Sequence, residues 1–191
     1  MEIDVSAIVE GYSQGYFLMA GDDDKLDWYS SRQRTLIPLD DRFRYPKSLQ
    51  RVLNQDRFSV AIDRDFLGVC KGCANRDSTW ISDELMDIYL ALHQAGWAHS
   101  FETWQGDRLA GGILGITIRG AFNGESMFLN ITEGSKVAMV KLVEHLRCKQ
   151  YVLFDAQLQN PHLERLGSYI IDSGQYQKLL HKAIMQNISF V

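Results

Sequence analysis

The strongest constraint on the fold is a run of three strand-like segments between residues 98 and 129. Ala98 to Trp104, Leu109 to Ile118 and Phe122 to Leu129 are dense in Ile, Leu, Phe and Trp, residues that suit a pleated, half-buried surface. They are linked by Gln105-Gly106-Asp107-Arg108 and by Arg119-Gly120. Connections this short only let a strand turn back beside its predecessor. An antiparallel meander is therefore expected.

Helical patterns flank it. Ser82-Asp83-Glu84-Leu85 has a serine cap and early acids, and an apolar stripe runs through Leu85, Ile88, Tyr89 and Leu92 to Gly96. Gly134 to Arg147 places Val137, Met139, Val140, Leu142, Val143 and Leu146 at helical spacing. A buried strand is expected at Tyr151 to Phe154, and helical stretches around Pro161–Leu166 and Gln175–Gln186. Upstream, Val5, Ile8, Val9, Tyr12 and Tyr16 predict a helix over 5–17, ended by the acidic turn Gly21-Asp22-Asp23-Asp24. Trp28-Tyr29-Ser30 and Thr35-Leu36-Ile37 read as short strands, Lys47 to Asn54 as a helix and Phe58 to Ile62 as a strand. The order implies an α+β protein with a curved, mainly antiparallel sheet flanked by helices. A small N-terminal subdomain, 1–57, would precede a main domain, 58–191.

Composition narrows the function classes. Of 191 residues, 46% are hydrophobic and only three are proline, so wholesale disorder is not expected. No apolar run approaches the roughly 20 residues of a membrane span. The first 24 residues hold six acids and no Lys or Arg, whereas a secretory signal opens on basic residues. A cytosolic protein away from membranes is expected. The net charge of −4 conceals a basic segment: residues 25–57 carry eight bases against four acids. Local cation density of this kind serves a phosphate backbone or an ordinary solvated surface. The candidates for contact with such a phosphate backbone are Arg32, Arg34, Arg42, Arg44 and Lys47.

Cys70, Cys73 and Cys148 cannot close a disulfide framework. Cys70-Lys71-Gly72-Cys73 has redox-motif spacing, but neither the strand-then-helix context of such a motif nor the four ligands of a structural zinc site is evident. Chance spacing in a helix or turn is the expectation. His93 and His99 are six apart and do not share a helix face as a metal pair would. Phosphate-loop, dinucleotide, zinc-protease and serine-elbow motifs are missing. What stands out is polar residues in apolar surroundings: Glu125 within Phe122-Asn123-Gly124-Glu125-Ser126-Met127-Phe128, and Asp155 ending an apolar strand with Gln157 two residues on. A strand-end carboxylate beside an apolar pocket can orient an amine or take its proton. Equally, Asp155 can cap the next segment and Glu125 can pair with a base.

Phe122-Asn123-Gly124-Glu125-Ser126-Met127-Phe128 resembles the F-x-G-E-S-M-F signature of bacterial leucyl/phenylalanyl-tRNA–protein transferases. The resemblance continues through Gly72-Cys73-Ala74, Thr79-Trp80-Ile81, Ala98-His99-Ser100, Glu102-Thr103-Trp104, Gly111-Gly112, Gly115, Ser135-Lys136 and Asp155-x-Gln157, in order over about 56–168. It implies a GNAT-type acyltransferase fold with a reduced N-terminal subdomain, acting as a monomer without metal or nucleotide cofactor. The implied reaction moves Leu or Phe, less often Met, from aminoacyl-tRNA to proteins with N-terminal Arg or Lys, marking them for degradation. Asp155 and Gln157 resemble the pair that positions and deprotonates the attacking amine, and Glu125 the residue holding the aminoacyl or 3′-adenosine end. Ile113, Phe122, Met127, Met139, Leu142 and Phe154 would form the apolar pocket beside Gly124 and Ser126. Trp80 and Tyr89 would stand near the terminal adenosine.

The N-terminal half departs from the family pattern. F-P-W reads Phe17-Leu18-Met19, W-W-S-P-x-P-R reads Trp28-Tyr29-Ser30-Ser31-Arg32-Gln33-Arg34, and E-I-P-R reads Ile170-Ile171-Asp172-Ser173. The chain also starts late against that pattern. Two alternatives stay open: a relative using another acyl donor or amine acceptor, and a non-catalytic binder of aminoacyl-tRNA or protein N-termini.

Overall fold

The computed structural model describes residues 3–21, 25–75 and 79–191. Asp22-Asp23-Asp24 of the expected acidic turn lie outside the described residues. In chain order the elements are α1 (Val5–Ser13), β1 (Phe17–Ala20), β2 (Leu26–Tyr29), β3 (Gln33–Leu36), α2 (Lys47–Leu53), β4 (Ser59–Ile62), α3 (Phe66–Ala74), α4 (Asp83–Gln94), β5 (Ala98–Gln105), β6 (Arg108–Ile118), β7 (Ala121–Leu129), α5 (Gly134–Cys148), β8 (Leu153–Gln157), α6 (Pro161–Glu164), β9 (Tyr169–Asp172) and α7 (Ser173–Ile184). The protein is α+β. β1 and β2 form a two-stranded ribbon, and the other strands form one sheet in the order β4-β5-β6-β7-β8-β3-β9.

The expected meander is the middle of that sheet: β5–β6 and β6–β7 pair antiparallel along most of their lengths. Alternation along β6 sends successive side chains to opposite faces. Leu114 and Ile116 pack with Val69 and Cys73 of α3, Leu85 and Tyr89 of α4, and Ile8 and Tyr12 of α1. Ile113 faces the other way, into a layer with Met139, Leu142 and Leu146 of α5 and Phe122 and Phe154. Fully burying one such side chain contributes about 1.5–3 kcal/mol, so the two layers fix which face each helix covers. Helix α4 opens as its sequence suggests, with the Leu85 N–H donating to Ser82 Oγ at 3.2 Å.

Three elements were not expected. Helix α3 is short and apolar, and it holds Cys70 and Cys73 buried as free thiols. Burial pushes the Cys70 thiol up to about 12, the reverse of what a redox motif needs. A Cβ on Gly72 would fall 2.5 Å from the Phe128 ring, so glycine is what lets α3 lie this close to the sheet. The first helix stops at Ser13, short of residue 17, because Gly15 at φ +90° reverses the chain into β1. β9 is a four-residue edge strand formed by the divergent Ile170-Ile171 stretch.

One irregularity shapes everything downstream. β7 and β8 are the parallel pair, and their ladder holds only at Ala121↔Leu153, Phe122↔Phe154 and Asn123↔Asp155. On its other edge β7 also slips: Gly124 pairs with Gly115 and Ser126 with Leu114, leaving Glu125 unopposed. An extra residue of this kind bends its strand and re-aims a side chain. From Gly124 onward the two strands are unpaired with each other, and a cavity lies between them.

Candidate active site

The cavity has a volume of about 390 Å³. Ile113, Met127, Met139, Phe154, Ile37 and Leu163 line one side, and Phe17, Leu18, Met19 and Trp80 the other. Glu125, Gln157, Gly124 and Ser126 supply its polar atoms, with Gln159 and Asn160 along the loop after β8. Phe122 and Leu142 do not line it. Both are fully buried, and Phe122 meets Phe154 edge-on at 5.0 Å between centroids, so they support the wall from behind.

At the polar end the Gln157 Nε2 donates to Glu125 Oε1 at 3.1 Å, and the Tyr89 hydroxyl donates to Glu125 Oε2 at 3.0 Å. Burial pushes the Glu125 carboxyl up to about 7; hydrogen bonds from Tyr89 and Tyr12 oppose that rise, and the Asp155 charge adds to it. Its proton affinity thus falls near neutral pH, where a carboxyl can exchange a proton. With Nε2 committed to Glu125, the Gln157 amide presents its oxygen as acceptor. Gln157 sits at φ +61°, a left-handed backbone that a non-glycine residue adopts only when its surroundings hold it there.

Asp155 does the holding. One oxygen accepts the Gln157 backbone N–H at 2.8 Å; the other accepts the Tyr176 hydroxyl at 2.7 Å and an ion pair from the Arg34 guanidinium. Arg34 also donates to the Gly15 carbonyl at 2.9 Å and lies over the rings of Tyr176 and Phe17. Asp155 is 0% exposed and Arg34 2%. The carboxylate therefore supports Gln157 from behind and does not face the cavity.

With Phe122 and Leu142 behind the wall and Asp155 behind Gln157, away from the amine it was expected to deprotonate, the placement corrects two further expectations. Arg34 is not a surface cation for tRNA; it is the buried counter-charge of Asp155, 121 residues away in the chain. Tyr89 offers no ring face to a nucleobase, being fully buried with its hydroxyl on Glu125. Trp80 does reach the cavity. Arg32, Arg42, Arg44 and Lys47 are exposed, with Arg42 held by Asp40 at 2.7 Å. Tyr12 and Tyr176, and the lining residues Phe17, Leu18, Met19, Ile37 and Leu163, are site residues that no motif singled out, and Arg34 and Tyr89 take other places than expected; their pairing with distant residues marks them, and no local pattern carries that.

Elsewhere, His93 and His99 do converge, on Asp63, with candidate ligand atoms within 4.8 Å of one another. They come from the end of α4 and from β5, which helix spacing could not reveal. Their atoms are already engaged: His99 Nδ1 with Asp63 at 2.6 Å, His93 Nδ1 with the Ala98 carbonyl at 2.9 Å, and the Ser100 N–H on Asp63 at 2.8 Å. The cluster ties α4 and β5 to the end of β4.

An apolar pocket closed by a carboxyl and a carboxamide can grip an oily group and manage a proton beside it, which suits the transfer of an apolar acyl group. The chain belongs to the leucyl/phenylalanyl-tRNA protein transferase family. Residues 36–181 match the family model described as Leucyl/phenylalanyl-tRNA protein transferase, and residues 1–32 match that of its N-terminal domain. A protein of Gloeothece citriformis named Leucyl/phenylalanyl-tRNA--protein transferase is 71% identical over 181 residues, 95% of each chain. One of the same name from Trichormus variabilis is 66% identical over 191 residues, the whole of both. A third, from Herpetosiphon aurantiacus, is 42% identical over 96% of this chain and 95% of its own. No helix among the described residues is long and apolar enough to cross a membrane.

Proposed function

We propose that this protein transfers Leu or Phe, and less often Met, from aminoacyl-tRNA to the α-amine of proteins beginning with Arg or Lys, in the cytoplasm, as a monomer, marking them for degradation. The observation that carries the reading is the cavity's composition: apolar walls of a size for one large side chain, ending on Gln157 and Glu125. Burying an unpaired charge in such walls costs several kcal/mol, which selects against charged aminoacyl groups. The mixed sheet with helices on both faces supports the GNAT-type assignment. Residues 1–57 are assigned to the N-terminal subdomain and 58–191 to the catalytic domain, with β3 as the strand by which the first enters the sheet of the second.

The reaction is aminolysis. The acceptor nitrogen forms a bond to the ester carbonyl carbon, the bond from that carbon to the 3′-oxygen breaks, the amine loses a proton and the 3′-oxygen gains one. Ile113, Met127, Met139 and Phe154 hold the side chain of the donor, and Gly124 and Ser126 leave room for its backbone. Trp80 serves the terminal adenosine, where stacking contributes about 1–3 kcal/mol. The Gln157 amide oxygen accepts from the incoming amine. Glu125 is the carboxyl that takes up or returns a proton. Asp155 acts through Gln157 and is a positioning residue. Most of the rate comes from holding amine and ester together. Transfer of labelled Phe or Leu from tRNA to an Arg-starting peptide tests this; folded protein that transfers neither overturns it.

A further inference from the structure

A second and larger cavity, about 810 Å³, lies across Leu18 from the aminoacyl pocket. It is a groove bounded by α1, the β1–β2 ribbon and the start of α4, with an apolar floor that includes Ile8 and Ile88. Its rim carries four exposed carboxylates, Asp4 and Glu10 of the α1 region and Glu84 and Asp87 of α4. Among the described residues that line it there is no Lys or Arg. The wall between groove and pocket is thin: Leu18 lines both, and its N–H donates to the Tyr12 hydroxyl at 3.4 Å, the same hydroxyl that bonds Glu125.

A phosphodiester backbone is repelled by such a rim, whereas a cationic polypeptide is attracted to it. The aminoacyl pocket offers little to that polypeptide's positive side chains: Asp155 is paired with Arg34, and both oxygens of Glu125 are occupied by Tyr89 and Gln157. We infer that the groove between α1, the ribbon and α4 docks the acceptor polypeptide, receiving a cationic segment just behind its N-terminus while the α-amine enters past Leu18. This rests on the transferase reading above and adds the acceptor's path to it.

The test separates the two. An Arg-starting peptide with further Lys residues is titrated into the protein without tRNA, with the Kd read by calorimetry. The same peptide is then used in transfer assays with Phe-tRNA. Glu84→Lys with Asp87→Lys, checked for an unchanged melting transition, is expected to raise the peptide Kd and the acceptor KM about tenfold or more and to leave kcat and the KM for Phe-tRNA unchanged. Glu84→Gln with Asp87→Asn gives a smaller rise. Unchanged acceptor KM and Kd in the Lys variant, or a rise in the KM for Phe-tRNA instead, overturns the docking proposal while transfer by the wild type keeps the reaction. Peptide binding that is lost in the Lys variant, in a protein that transfers nothing, keeps the groove and overturns the reaction. A wild type that neither binds nor transfers overturns both.

Discussion

Glu125→Gln gives the sharpest physical check on the site. Burial holds the Glu125 carboxyl up to about 7 in the folded protein, against an ordinary 4.5. Between those values the folded state keeps a proton that the unfolded chain has given up, so stability falls as pH rises through the interval. At about 1.4 kcal/mol per pH unit the loss is about 3 kcal/mol, complete above pH 7 and absent below 4.5. Gln does not titrate. It also strands one donor of the Gln157–Tyr89 set, at about 1–3 kcal/mol, but that cost is the same at every pH. Urea unfolding of both proteins from pH 4.5 to 8 separates the two effects. The wild type is expected to lose about 3 kcal/mol relative to the variant across the range, whatever their offset. Parallel curves would mean that Glu125 is not a desolvated carboxyl, and would remove it as the pocket's proton carrier.

Other expectations are simpler to state. Arg34→Met leaves the Asp155 charge buried alone and should destabilise by about 3–5 kcal/mol, with much of that restored when Asp155→Leu is added; urea midpoints of the single and double variants decide it. Asp155→Asn should lower turnover far more than tRNA affinity, and equal losses would mean that Asp155 supports the fold at large and not Gln157 in particular. Binding of tRNA should weaken steeply with salt, and Arg44→Gln or Lys47→Gln should each flatten the log–log slope by somewhat less than one; an unaltered slope assigns that face to solvation. Cys148, which is exposed, should alkylate readily at pH 8 while Cys70 and Cys73 stay protected until the protein unfolds, as mass mapping would record.

How much of this was legible follows from sequence distance. The strands between Ala98 and Leu129 and the capped helix at Ser82 are local statements, made by alternation, turns and a serine followed by acids, and the structure repeats them. The bulge at Glu125 is not local, because it depends on a slip of β6 against β7 that either strand alone does not encode. Arg34 lay in a cation-rich segment and was indistinguishable from its neighbours until β3 entered the sheet beside β8. Asp63, His93 and His99 likewise meet only because α4 and β5 fold back onto the end of β4. Family resemblance pointed to Ile113, Met127, Met139 and Phe154, which line the cavity and taken singly are ordinary core side chains, but also to Phe122 and Leu142, which stand behind its wall.

The ion pair of Arg34 and Asp155 joins a strand from early in the chain to one from late in it, and Tyr176 of α7 completes the arrangement. A chain still being synthesised therefore lacks the Tyr176 bond to Asp155 until α7 has emerged, so the support behind Gln157 is completed by one of the later-made segments.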